Sequence, residues 1–161
     1  MKLTMLSAIT SVLAVAQFAS AQPNTNRKEM TVNSPKAIVL AYHEAFHNKD
    51  RATVRKLLAD QGQFIGPLSS FSNPDTFLDA AAVFMKITKD TKIKALVVDG
   101  NNVAMFYDYT TIVPSIPTLP LAVWFQVENG KVVLFHVHFD PTSVVKASEN
   151  GDIAKALQSL N

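Results

Sequence analysis

Residues 122–133 read Ala122-Val123-Trp124-Phe125-Gln126-Val127-Glu128-Asn129-Gly130-Lys131-Val132-Val133, and this stretch decides the fold. Asn-Gly is the strongest short hairpin signal, because both residues tolerate the positive φ of a tight two-residue turn. Apolar and polar residues alternate on either side of it. Two antiparallel strands are therefore expected, Leu121 to Glu128 and Lys131 to Phe139. The same period of two runs upstream through Lys92 to Val98 and Val103 to Val113, with Asp99-Gly100-Asn101-Asn102 as the turn between them. Pro114, Pro117 and Pro120 crowd the next seven residues, which fits a loop or an edge better than a central strand. The second half of the chain thus predicts a four-strand antiparallel meander.

The first half has the other period. Ser34-Pro35 supplies an N-cap and a proline for the first helical position, and Ile38, Ala41, Tyr42, Ala45 and Phe46 then form one apolar stripe. Asn48-Lys49-Asp50 ends that helix, and Asp50 caps a second one whose Val54, Leu57 and Leu58 face inward. A short strand is expected at Gln63 to Ile65, between Gly62 and Gly66-Pro67. Asn73-Pro74 opens a third helix with Asp75 in its first turn and Phe77, Ala80, Ala81 and Phe84 on the buried face. Beyond Asp140-Pro141 a short amphipathic helix is expected, with Ile153, Leu157 and Leu160 on one side. Helices packed on one face of an antiparallel sheet make an α+β fold, and a curved sheet over a helical layer encloses a cavity.

The 161 residues are 48% hydrophobic and 17% charged, enough apolar surface for one packed domain. The net charge of +2 comes with no Lys/Arg run longer than two residues, so no clustered basic face offers itself to nucleic acid. With no cysteine, disulfide scaffolds, thiol catalysis and Cys-based zinc sites are excluded. Residues 1–21 read as a secretory signal peptide. Lys2 is the positive n-region, Met5 to Phe18 is largely apolar, and Ala19-Ser20-Ala21 is a small-x-small cleavage site. The apolar run is shorter than the roughly 20 residues of a bilayer span. A secreted or periplasmic location follows as the expectation, without stable membrane insertion after cleavage. Residues 22–33 then form a polar lead-in, 34–141 the domain and 142–161 a C-terminal tail.

The hairpin segment, continued by Phe139-Asp140-Pro141, resembles the closing hairpin of the nuclear transport factor 2-like superfamily. SnoaL-like polyketide cyclases, ketosteroid isomerases and limonene epoxide hydrolases belong to it. Tyr42-His43-Glu44-Ala45-Phe46-His47-Asn48-Lys49-Asp50, followed by Leu57-Leu58-Ala59-Asp60, is similar to that superfamily's opening. The resemblance implies a cone of N-terminal helices on a curved antiparallel sheet, and unrelated chemistries share such a fold. Residue by residue it places Tyr42 at the isomerases' oxyanion-donating tyrosine. Their general-base acid falls on Gly66-Pro67 and their second acid on Val123, so the base needed to move a proton is missing. The hydrolases' Arg, Asp and Asp fall on Tyr107, Tyr109 and Val137, which carry no charge. Neither reaction is therefore expected.

The same register turns Met105, Tyr107, Tyr109, Val123, Phe125, Phe135, Val137 and Phe139 inward, joined by Tyr42, Phe46 and Phe84 from the helices. Such a lining suits a small hydrophobic molecule carrying one or two hydrogen-bonding oxygens. The expected ligand-binding set is Tyr42, Phe46, Phe84, Met105, Tyr107, Tyr109, Val123, Phe125 and Val137; no catalytic set is assigned. An acid–base lyase, isomerase or cyclase acting on a polyketide- or terpenoid-like substrate, with Tyr42, Tyr107 or Tyr109 donating to a developing oxyanion, is the alternative. The other sheet face receives Asp108, Trp124, His136 and His138, and the resemblance implies a homodimer contact there. His43-Glu44-Ala45-Phe46-His47 is formally H-E-x-x-H, the spacing that puts two imidazoles on one helix face for zinc. No third ligand follows at metalloprotease spacing, so a zinc hydrolase stays the remote alternative and no metal is expected. Neither a P-loop nor G-x-G-x-x-G occurs, so no nucleotide cofactor is expected either.

Overall fold

Ser34, Asp50 and Asn73 each do the capping their positions predict. In the computed structural model, which describes residues 33–160, Ser34 Oγ accepts from the Ala37 N–H at 3.3 Å and starts helix α1 (Pro35–His47). Asp50 accepts from the N–H of Thr53 at 3.0 Å to start α2 (Arg51–Leu57). Asn73 Oδ1 accepts from the N–H groups of Asp75 and Thr76 at 2.8 and 3.1 Å to start α3 (Pro74–Ile87). Each bond satisfies an N–H that the first helical turn would otherwise leave unpaired. The signal peptide and nearly all of the lead-in lie outside the described residues.

The meander is present as β3 (Thr88–Asp99), β4 (Asn102–Thr111), β5 (Leu119–Glu128) and β6 (Lys131–His138). Asn129 and Gly130 take φ of 50° and 73°, and Glu128 pairs with Lys131 across the two-residue turn. Two further strands extend the sheet, β1 (Leu58–Ile65) and β2 (Ser70–Phe71), in the order β2-β1-β6-β5-β4-β3. The β1–β6 pairing is parallel, so the sheet is mixed. Register shifts that leave extra residues in β1, β3 and β6 mark the bulges of the sheet.

Four expectations change. Leu58 opens β1 instead of closing the second helix, and the strand expected at Gln63 to Ile65 is eight residues long. Strand β5 starts at Leu119, not Leu121, and takes in Pro120 opposite Asp108. Pro120 is exposed at the strand's second position, where the missing N–H costs the ladder little. On α3, Leu78 and Met85 join Phe77 and Ala81 in the core, while Ala80 is exposed and Phe84 half-buried. The tail forms two helices, α4 (Thr142–Glu149) and α5 (Asp152–Gln158). Its buried residues are Val144 and Ala147, whereas Leu160 is 51% exposed.

Two hydrophobic clusters result. The larger lies under α1, α2 and α3 and holds Val39, Tyr42, Phe64, Met105, Val123 and Phe125. The smaller holds Ile87, Tyr109, Val113, Ile116 and Leu119, closed by Val144 and Ala147 with Ile153 and Leu157 against them.

Candidate functional site

Between the two clusters, at one end of the sheet, lies a cavity of about 120 Å³. Phe46 of α1, Phe64 of β1, Ala81 of α3 and Phe135 of β6, from the larger cluster, form one side, and Phe84 of α3 packs with the smaller one. Tyr109, Leu119, Leu121 and Phe139 form the other. The turn between β1 and β2 adds Gly66, Pro67, Leu68 and Ser69 to the lining, and Leu68 is 50% exposed. A dry apolar space of roughly this size accommodates a single small ring.

Of the nine residues expected to bind a ligand, Phe46, Phe84, Tyr107, Tyr109 and Val137 line the cavity. Tyr42, Met105, Val123 and Phe125 do not; they stand in the larger cluster beneath it. Their inward direction follows from the register, but the sheet's curvature and the α1 packing fill the space above them. Phe125 lies edge-on to Tyr42 and Phe135, with ring centroids at 5.5 and 5.4 Å. The wall also takes Phe64 from β1, Leu68 from the β1–β2 connection and Phe71 from β2, outside the expected set, together with Phe77, which the apolar stripe of α3 places on its buried face.

The two cavity tyrosines differ. Tyr109 donates to the Phe84 carbonyl at 2.8 Å with the Thr88 hydroxyl 3.2 Å away, so its phenol braces the end of α3. Burial pushes its pKa up to about 12. Tyr107 forms no such bond among the described residues; burial raises its pKa as well, so it keeps its proton as a donor. Among the described residues no Asp, Glu, His, Lys or Arg is in the wall. Gly66-Pro67, Tyr107, Tyr109 and Val137 all line it without charge.

Tyr42 is enclosed by Phe46, Phe125 and Phe135, and among the described residues its buried hydroxyl has no partner. An unpaired buried hydroxyl costs about 1–3 kcal/mol. Tyr42→Phe keeps the ring contacts and removes that cost, so it should raise the unfolding free energy by about 1 kcal/mol in urea titration. A loss of stability would mean that the phenol is satisfied in solution.

The remaining polar constellations do not converge. His47 Nδ1 lies 3.2 Å from Thr91 Oγ1, Glu44 is exposed, and His43 packs edge-on against Tyr107. His136 and His138 stand side by side on the outer sheet face, ring centroids 4.0 Å apart, while Asp140 Oδ1 is taken by Thr142. Among the described residues no three His, Asp or Glu side chains come together as a metal-binding group.

A mixed, bulged sheet closed by helices on one face, with an apolar cavity at the open end, defines the nuclear transport factor 2-like class. The SnoaL-like domain family matches residues 39–135, and the chain belongs to that family. Among solved structures, the chain is similar to a protein from Kribbella flavida with 22% identity and a TM-score of 0.67, covering 76% of this chain and 98% of that one. A steroid delta-isomerase from Pseudomonas aeruginosa is 16% identical, with coverage of 82% and 96% and a TM-score of 0.61. An LEH-like epoxide hydrolase from M. tuberculosis is 19% identical, with coverage of 78% and 93% and a TM-score of 0.59. These likenesses establish the fold. No curated protein matches the chain.

Proposed function

We propose that this SnoaL-like protein binds a small hydrophobic molecule in the cavity between its two clusters. The observation that carries the reading is a wall of apolar and aromatic side chains in which Tyr107 is the phenol left free to donate. A ligand with one hydrogen-bonding oxygen fits that chemistry: its ring replaces the missing core, and its oxygen accepts from Tyr107. In the same reading the chain is exported, residues 1–21 are removed, and two copies meet through the outer sheet face. Trp124 and Phe106, 46% and 45% exposed there, support that contact. An acid–base lyase, isomerase or cyclase is the second reading, favoured by the contact between His43 and Tyr107.

Native mass spectrometry of the chain purified from its own host tests these parts together. The expected result is a polypeptide starting at Gln22, carrying an organic adduct and present as a dimer. Ala80 is exposed at the cavity wall, so Ala80→Trp should fold while filling the space. That variant should lose the adduct and bind a small aromatic probe such as nitrobenzene at least tenfold more weakly, a difference of about 1.4 kcal/mol. Equal binding by variant and wild type would remove the cavity from the account.

A further inference from the structure

His136 and His138 alternate along β6 and project from the same outer face of the sheet, with ring centroids 4.0 Å apart. Side chains two apart on a strand are rooted about 6.6 Å from each other, so the two rings lean together. Two neutral imidazoles this close offer two lone pairs to one point, which is what a divalent ion that prefers nitrogen binds. Zinc–nitrogen bonds of about 2.0–2.1 Å at a tetrahedral angle set two ligand nitrogens about 3.3 Å apart. The pair reaches that spacing by rotation of its side chains, with the strand left in place.

The carboxylates of this region are engaged elsewhere. Asp108 of β4 is paired with Lys94 of β3, and Asp140 Oδ1 accepts from Thr142. Among the described residues no Asp, Glu or third His makes a group with the pair. One copy therefore supplies two donors, whereas zinc takes four ligands. The place of the pair on the sheet indicates where the others come from. In the order β2-β1-β6-β5-β4-β3, strands β6 and β5 are the central two. A second copy related by a two-fold axis through the middle of this face sets its own His136 and His138 opposite the first pair. The surroundings suit such a partner. Trp124 and Phe106 stand exposed, and each lies across from an alanine, Ala104 and Ala122, whose small side chain leaves a hollow.

We propose that His136 and His138 chelate a divalent transition-metal ion of the zinc and copper class, and that the same two residues of a second copy complete a four-imidazole site at the centre of the outer face. The second half rests on the reading of that face as a dimer contact; the two-imidazole chelate of one copy does not. Each ring gives the lone pair of one nitrogen to the ion and displaces a water from it. Nothing is oxidised. The second imidazole binds at high effective concentration, because the same strand already holds it beside the first. Magnesium and calcium, which take oxygen ligands, are not held by such a set. Tryptophan occurs once in the chain, and Trp124 is the direct cross-strand partner of His136. Copper(II) bound there quenches the indole emission, so the chain carries its own reporter.

Copper(II) titrated into the purified chain should quench Trp124 emission to saturation, and magnesium should leave it unchanged. His138 is exposed, so His138→Gln should fold and weaken the copper(II) titration about tenfold or more, with His43 and His47 still in place. His136→Gln reads the same loss from the other ligand. Equal titration of both variants and wild type puts the ion elsewhere and overturns the proposal. In sedimentation equilibrium, zinc should tighten self-association about tenfold or more relative to the chelator-treated chain. Native mass spectrometry should then count one zinc ion for each pair of chains. A chain that is dimeric with or without zinc, and whose emission copper(II) leaves alone, keeps the face contact and sinks the metal site. A chain that binds copper(II) through His136 and His138 yet stays monomeric at every zinc concentration overturns the shared site together with the dimer reading, and leaves the two-imidazole chelate standing.

Discussion

Phe125→Ala should lower the unfolding free energy by about 4 kcal/mol. The side chain is 2% exposed in β5 and touches Tyr42 and Phe135 through edge-to-face contacts. Truncation removes the burial energy of the ring and leaves a hole that α1 cannot close, because its own position is fixed by contacts to four strands. Against a typical total of about 5–15 kcal/mol, that is a large share. Urea denaturation should show a lower midpoint with an unchanged slope. A cost below about 1 kcal/mol would place Phe125 at a cavity wall and overturn its assignment to the core.

Val144→Asp should cost about 3 kcal/mol or more. Val144 is 4% exposed and closes the smaller cluster over Ile87, Val113 and Leu119, with no cationic partner among the cluster's members. A carboxylate there either loses its hydration or is protonated, and both routes weaken the fold. Thermal unfolding should move down by about ten degrees for a domain of this size. Unchanged stability would mean that α4 and α5 are an appendage whose removal the remaining fold tolerates.

Local signals explain what was readable beforehand. Asn129-Gly130, Ser34-Pro35 and Asn73-Pro74 act within a few residues, through positive φ or a side-chain cap, so the hairpin and helix starts stood where sequence put them. Strand β1 depends on a partner far away: Leu58 pairs with Val132 and Phe64 with Phe135, and nothing local announces a parallel neighbour. Helix α4 did carry a start signal in Asp140, whose carboxylate accepts from the Thr142 N–H at 3.0 Å. Its polar composition concealed the buried pair Val144 and Ala147. At the cavity, alternation gave the direction of Tyr107, Tyr109 and Val137. Direction alone did not separate wall from core: Met105, Val123 and Phe125 point the same way but lie where the helical layer presses closest.

The cavity takes its walls from two separately packed clusters, with Phe46, Phe64 and Phe135 on one side and Leu119, Leu121 and Phe139 on the other. That division bears on evolvability. A substitution at Leu121 or Phe139 can reshape the space while drawing only on the packing of the smaller cluster, and the larger one carries on holding the sheet to α1. Sequence drift can therefore explore new cavity shapes on one wall at a time, without each trial putting the whole fold at stake.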